Sequence, residues 1–139
     1  MGLDMYLTGD RYKCKEYDDD YNEINIQYVD GFKLESQRLK LGYWRKHANL
    51  HGYIVNTFAD GVDECQVIHM SVERLRQVAQ ALRDGDLPHT EGFFFGSDEL
   101  REEYRKYNEE DAQVFDAAAD WVENAPKGLW NSVEYQASW

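Results

Sequence analysis

Tyr43 to Ile54 reads YWRKHANLHGYI and sets two cations, an amide and two histidines within one short segment. Two kinds of chemistry suit such a set. If Arg45 and Lys46 open a helix, its unpaired backbone N–H groups and both cations favour an anion there. His47, Asn49 and His51 would then complete a site for a phosphate or carboxylate. Asn49 would orient the bound group and a histidine would move a proton near neutral pH. The plainer alternative pairs Arg45 and Lys46 with some of the many surface acids, although cations at a helix start oppose its dipole.

The second chemistry is metal binding. His47 and His51 stand at i, i+4 on one side of a helix, and Cys65 and His69 repeat that spacing fourteen residues on. Four such donors can in principle surround a tetrahedral ion. The short Cys-x-x-Cys knuckle that makes zinc sequences specific is absent, and the histidines serve equally well as hydrogen-bonding core residues. No cofactor is expected.

GFFFGS, Gly92 to Ser97, sets three aromatics between glycines and lacks the lysine of a phosphate loop. Phe94 and Ser97 are the residues of this loop expected to close over the Arg45–His51 site, while other rings of the triplet plug the core. Asp4, on the polar side of the first strand, would orient a histidine or pair with Arg45. Cys14 lies among cations in RYKCKEY, where a thiol would ionise more readily. The chain has no serine-nucleophile elbow, no His-Glu-x-x-His helix and no dinucleotide fingerprint.

These residues need a scaffold, and hydrophobic periodicity outlines it. Leu3, Met5 and Leu7 alternate with polar neighbours, which predicts a strand over 3–9. Asp30-Gly31 predicts a hairpin joining the run before it to a strand over 32–44. Gly42 is expected to break that strand. Leu50, Ile54 and Phe58 at spacing four predict a helix over 45–58. A strand over 65–70 follows, with Cys65, Val67 and His69 on one face. Ser71 caps the next helix, striped by Val72, Leu75, Val78, Ala79 and Leu82 and stopped by Gly85. A long helix over 98–123 would bury Leu100, Tyr104, Tyr107, Phe115, Ala118 and Val122, and it carries ten acids against three bases, a net of −7. Val133, Tyr135 and Ala137 alternate in a last strand, expected to pair with the first at the centre of the sheet. The order of elements predicts an α+β domain: one small, mainly antiparallel sheet covered on one side by about three helices.

The 139 residues fit a single domain able to bury a core without metal or disulfide. A net charge of −12 disfavours direct nucleic-acid binding and anionic membranes. The first residues, MGLDMYLTGD, have no apolar signal core, and no apolar run reaches membrane-spanning length, so a cytoplasmic setting with reduced Cys14 and Cys65 is expected.

Taken together, MGLDMYL, GYWRKHANLHGYI, GFFFGS and the closing EYQASW resemble a family of small proteins encoded by tailed bacteriophages and prophages. The four blocks run from end to end of the chain; residues 10–35 and the acidic helix match in general character. The resemblance carries Asp4, Tyr43, Trp44, Arg45, Lys46, His51 and the Gly92–Ser97 loop over as motif residues. It implies an accessory protein of the bacterial host's cytoplasm, without established activity, that binds a host or defence protein. The phosphoglycerate kinase label borne by some members does not suit a chain of this length without a nucleotide signature. Three functions are therefore expected: binding of a protein partner through aromatic and acidic surfaces, with the acidic helix steering; binding or turnover of an anionic small molecule at 43–51; or mimicry of DNA by ordered acids.

Overall fold

The computed structural model describes residues 2–90 and 98–139. The Phe93–Phe95 triplet, with candidate residues Phe94 and Ser97, lies outside them, as does the side chain of Leu100. The fold is α+β: a four-stranded antiparallel sheet with helices on one face.

The first strand is β1 (Asp4–Lys13). Its inward residues Met5 and Leu7 are fully buried, while Tyr6 and Tyr12 on the opposite side are exposed. An excursion follows, made of two small ribbons, β2 (Glu16–Tyr17) with β3 (Glu23–Ile24) and β4 (Tyr28–Val29) with β5 (Phe32–Lys33). Asp30 and Gly31 both have positive φ, as a two-residue hairpin loop of this hand requires. The hairpin expected there exists, but it is two residues deep. The long strand after it, β6 (Ser36–Arg45), pairs with β1 instead.

Gly42 does not end β6. The strand runs on to Arg45, with a bulge opposite Leu7 and Thr8. A Cβ at Gly42 would stand 2.6 Å from the Trp44 ring and 3.1 Å from Val114. The glycine thus makes room for the indole rather than interrupting pairing.

Helix α1 (Ala48–Phe58) starts three residues later than its pattern suggested. Arg45 is still strand, opposite Asp4, and Lys46 takes a left-handed φ of 57°, its N–H donating to the Leu3 carbonyl at 2.6 Å. That sharp bend turns the chain from sheet to helix, so neither cation sits at a helix N-terminus. Leu50 and Ile54 are buried as expected and Phe58 is half-buried.

The strand expected over 65–70 shrinks to β7 (Ile68–His69), because Cys65 has a φ of 56° and leaves the extended conformation. Helix α2 (Val72–Asp84) is capped by Ser71, whose hydroxyl accepts from the Arg74 N–H, and closed by Gly85 in the left-handed region. The single acidic helix divides into α3 (Asp98–Arg105) and α4 (Asn108–Glu123). Tight turns at Lys106 and Tyr107, bonded back to Glu103 and Tyr104, separate them, and they leave Tyr107 exposed rather than in the core. The last strand, β8 (Leu129–Ser138), lies beside β1, giving the order β6-β1-β8-β7.

The core lies between sheet and helices. Leu3, Met5, Leu7, Val133 and Tyr135 meet Leu50, Ile54, Leu75, Val78 and Phe115. Alanines 79, 112, 118 and 119 let α2 and α4 lie side by side. Along their rim Arg76 reaches Asp116, Asp120 and Glu123, and Arg83 reaches Glu109 and Asp116. Half-exposed pairs of this kind add little stability one by one. They do commit four of α4's acids to α2.

Candidate functional site

The sheet separates the candidate residues. Asp4 and Arg45 lie on its open face, where the Tyr43 hydroxyl donates to Asp4 at 2.5 Å and the Arg45 Nε stands 4.0 Å from the same carboxylate. The expected Asp4–Arg45 pairing is present, far from any histidine contact. Arg45 and Lys46 both lean over Gly2, where an added Cβ would come within 3.7 Å of the Arg45 Nη2 and 2.9 Å of the Lys46 Cε. Trp44 points the other way. Its ring stacks on Phe115 at 5.3 Å and its indole N–H donates to Asp111 at 2.9 Å.

The two histidines also part. His51 is deep in the core: its Nδ1 meets the Tyr135 hydroxyl at 2.6 Å and its Nε2 meets Asp63 at 2.8 Å. Burial, helped by the charge of Asp63, holds the Tyr135 phenol well above its ordinary pKa, so the phenol keeps its proton and donates it to Nδ1. The imidazole then donates from Nε2 to Asp63, which also receives the Trp139 indole N–H at 3.1 Å. This chain ties α1, the 59–67 loop and β8 together. Replacing Tyr135 by Phe strands a buried acceptor, and the expected loss is about 1–3 kcal/mol of unfolding free energy, measurable by urea titration. A loss indistinguishable from zero would remove the hydrogen bond from the account.

The metal arrangement does not form. His47 and His51 face different surroundings, His69 is exposed, and Cys65 sits in a left-handed bend. Among the described residues no group of three or more His, Cys, Asp or Glu is placed to hold an ion.

His47 and Asn49 do come together, at a cleft of about 290 Å³ lined also by Gly85, Leu87, Arg105 and Asn108. The bend at Lys46 presents His47, the first turn of α1 carries Asn49, Gly85 closes α2, and the α3–α4 junction supplies Arg105 and Asn108. Asn49 accepts from the Thr90 N–H at 3.0 Å. Gly52 admits Thr90: a Cβ there would lie 2.0 Å from its hydroxyl.

His47 is 3% exposed and its ring stacks on Tyr104 at 4.2 Å. The Tyr104 hydroxyl donates to the Arg45 carbonyl at 2.5 Å, which fixes the ring. Among the described residues neither His47 ring nitrogen has a hydrogen-bond partner, and the same holds for the Asn108 Oδ1 and the Asp111 Oδ2. Native proteins leave few buried polar atoms in this state, so four together ask for an explanation. The His47 Nε2 and the Asp111 Oδ2 are 3.8 Å apart, too far for a hydrogen bond. Burial lowers the His47 pKa to about 4, so the ring is neutral at pH 7 and the contact is not an ion pair. Burial likewise raises the Asp111 carboxyl, against the pull of the Trp44 indole.

A base of such low pKa accepts protons poorly at neutral pH, so the arrangement suits holding a ligand better than catalysing proton transfer. Sequence spacing could not bring Arg105, Asn108 and Asp111 to His47, because they lie about sixty residues away and the break between α3 and α4 has no glycine or proline to announce it. No protein-family model, curated protein or solved structure matches this chain.

Proposed function

We propose that the chain is a non-enzymatic binding protein that seats a small polar molecule in the cleft at His47. The observation that carries this reading is that His47 and Asn108, two residues lining one cleft, hold buried polar atoms without a partner among the described residues: a ligand replaces hydrogen bonds that these residues leave unmade. The block resemblance supports a phage accessory protein as its setting. To test it, the dialysable fraction of a bacterial lysate is added to isotope-labelled protein. Shifts confined to the His47 ring and the Asn49 and Asn108 side-chain amides are expected. Shifts that leave these groups unmoved would refute the reading.

A second reading, docking of a protein partner, is favoured by the excursion from 14 to 35. None of its residues is buried, yet Tyr17, Tyr21, Tyr28 and Phe32 present rings to solvent on ribbons fixed by their own hydrogen bonds. Seven acids against two lysines there suit a basic partner surface. The excursion thus replaces α4 as the steering element, since Arg76 and Arg83 already occupy Glu109, Asp116, Asp120 and Glu123. The same pairing withdraws support from DNA mimicry, which needs unpaired acids along a face.

A further inference from the structure

We infer that β6 takes up an extended segment of a partner protein as a fifth strand, one whose side chains alternate between apolar and acidic. This site is separate from the His47 cleft and does not rest on it. β6 stands at the end of the β6-β1-β8-β7 order and, among the described residues, pairs with β1 alone. Over its ten residues it therefore keeps one row of N–H and C=O groups turned away from the sheet. The one further hydrogen bond to its backbone among the described residues comes from the Tyr104 hydroxyl to the Arg45 carbonyl, at the strand's end. A groove of about 460 Å³ lies between β6 and α4, lined by Leu39, Leu41, Val114 and Trp121, with Glu110 and Gln113 its polar members. Leu39 is 41% exposed there. An added strand would direct every second side chain into this groove, which asks for apolar residues.

The alternate side chains of the added strand would lie on the open face of the sheet. There β6 offers Arg38, Lys40 and Arg45, and the strand contains no acid. Arg38 stands 3.9 Å from both Asp10 and Glu134, and Arg45 stands 4.0 Å from Asp4, distances too long for hydrogen bonds. Carboxylates set opposite these cations form attractive cross-strand pairs. Exposed charges beyond about 8 Å are screened at physiological salt, so the cations of the edge outweigh there the net charge of −12. A second copy of the chain does not suit the edge, because β6 laid against β6 sets cations against cations.

Three capped peptides of strand length test this: one alternating valine and glutamate, one alternating valine and lysine, and the first again with its backbone nitrogens methylated. Each is titrated into the full-length protein while backbone amides and side-chain methyls are followed by NMR. The valine–glutamate peptide is expected to shift the amides of 37–42 and the methyls of Leu39, Leu41 and Val114. It should bind about tenfold tighter than the valine–lysine peptide, the factor that a few attractive rather than repulsive cross-strand pairs are worth. The methylated peptide keeps the side chains but lacks the N–H donors, and it should not bind. In Arg38→Gln with Lys40→Glu, both at exposed positions, the preference for glutamate should vanish. Equal binding of the glutamate and lysine peptides, or a preference that survives this double substitution, would overturn the acidic partner. Binding of the methylated peptide, or silence from all three at millimolar concentration, would overturn the strand addition. Shifts of the same amides on concentrating the protein alone would overturn the inference in favour of a second copy.

Discussion

Replacing Phe115 by Ala is expected to cost about 3–5 kcal/mol of unfolding free energy, the range for truncating a fully buried ring. Phe115 has no exposed surface and stacks on Trp44 with their planes 13° apart. It sits on α4 facing both the sheet and α2, so the cavity would open where three elements meet. Trp44 depends on it most. Gly42 has already removed side-chain volume beside the indole, leaving little nearby that can collapse into the space. A domain of this size typically has about 5–15 kcal/mol in total, so the variant would approach the edge of folding. Urea denaturation should show a lower midpoint with an unchanged slope. The effect also reaches the cleft. Trp44 holds Asp111 through its indole N–H, and Asp111 faces His47. The His47 and Asn108 signals should therefore shift in the folded variant. A loss below about 1 kcal/mol would mean that this aromatic stack is not a keystone of the core.

The parts of this structure that could be read in advance are those set by local rules. Period-two alternation found β1 and β8, because each buries one face under the helices. Ser71 and Gly85 bounded α2, because a hydroxyl and a left-handed glycine are what its ends require. The α+β architecture followed from the order of such elements. The misreadings share a different cause. Gly42 looked like a strand breaker, but its role is fixed by the Trp44 ring, two residues on along the same strand, and by Val114 on α4. Lys46 and Cys65 adopt left-handed backbone that no residue type there advertises, and each moved an element boundary. The 98–123 helix kept its apolar period through Tyr104 and Tyr107, so nothing local showed that tight turns would divide it.

The candidate site failed and succeeded for the same reason. The segment YWRKHANLH crosses from a strand through a bend into a helix, and so its side chains are dealt to different sides of the sheet. Strand alternation sends Arg45 to the open face and Trp44 to the core. His47 still belongs to the bend before α1, whereas His51 lies inside the helix, so one meets the cleft and the other Tyr135. Only His47 and Asn49 stay together, and their remaining neighbours come from α3 and α4 through tertiary packing that no spacing rule encodes.

His47 makes the second large prediction, a pH dependence of stability. In the unfolded chain its imidazole takes a proton near pH 6.5; in the folded protein burial delays this to about pH 4. Between those values the unfolded state binds more protons, so stability falls as pH falls. The contribution is intact above pH 6.5 and is lost progressively down to pH 4, where the loss levels off at about 3 kcal/mol. Asp111 works in the opposite sense. Its raised carboxyl binds a proton more readily in the folded state, which softens the lower end of the slope. Other carboxylates also titrate there, so the measurement is a comparison with His47→Phe, which keeps a ring against Tyr104 but cannot be protonated. Unfolding free energies of both proteins at steps from pH 7 to pH 4 should diverge by about 3 kcal/mol in favour of the variant at the acid end. An imidazole that titrates near pH 6.5 by NMR, with parallel stability curves, would show that water reaches the ring freely. The buried wall from which a binding function is inferred would then be an open surface, and the four unpartnered atoms would need no ligand.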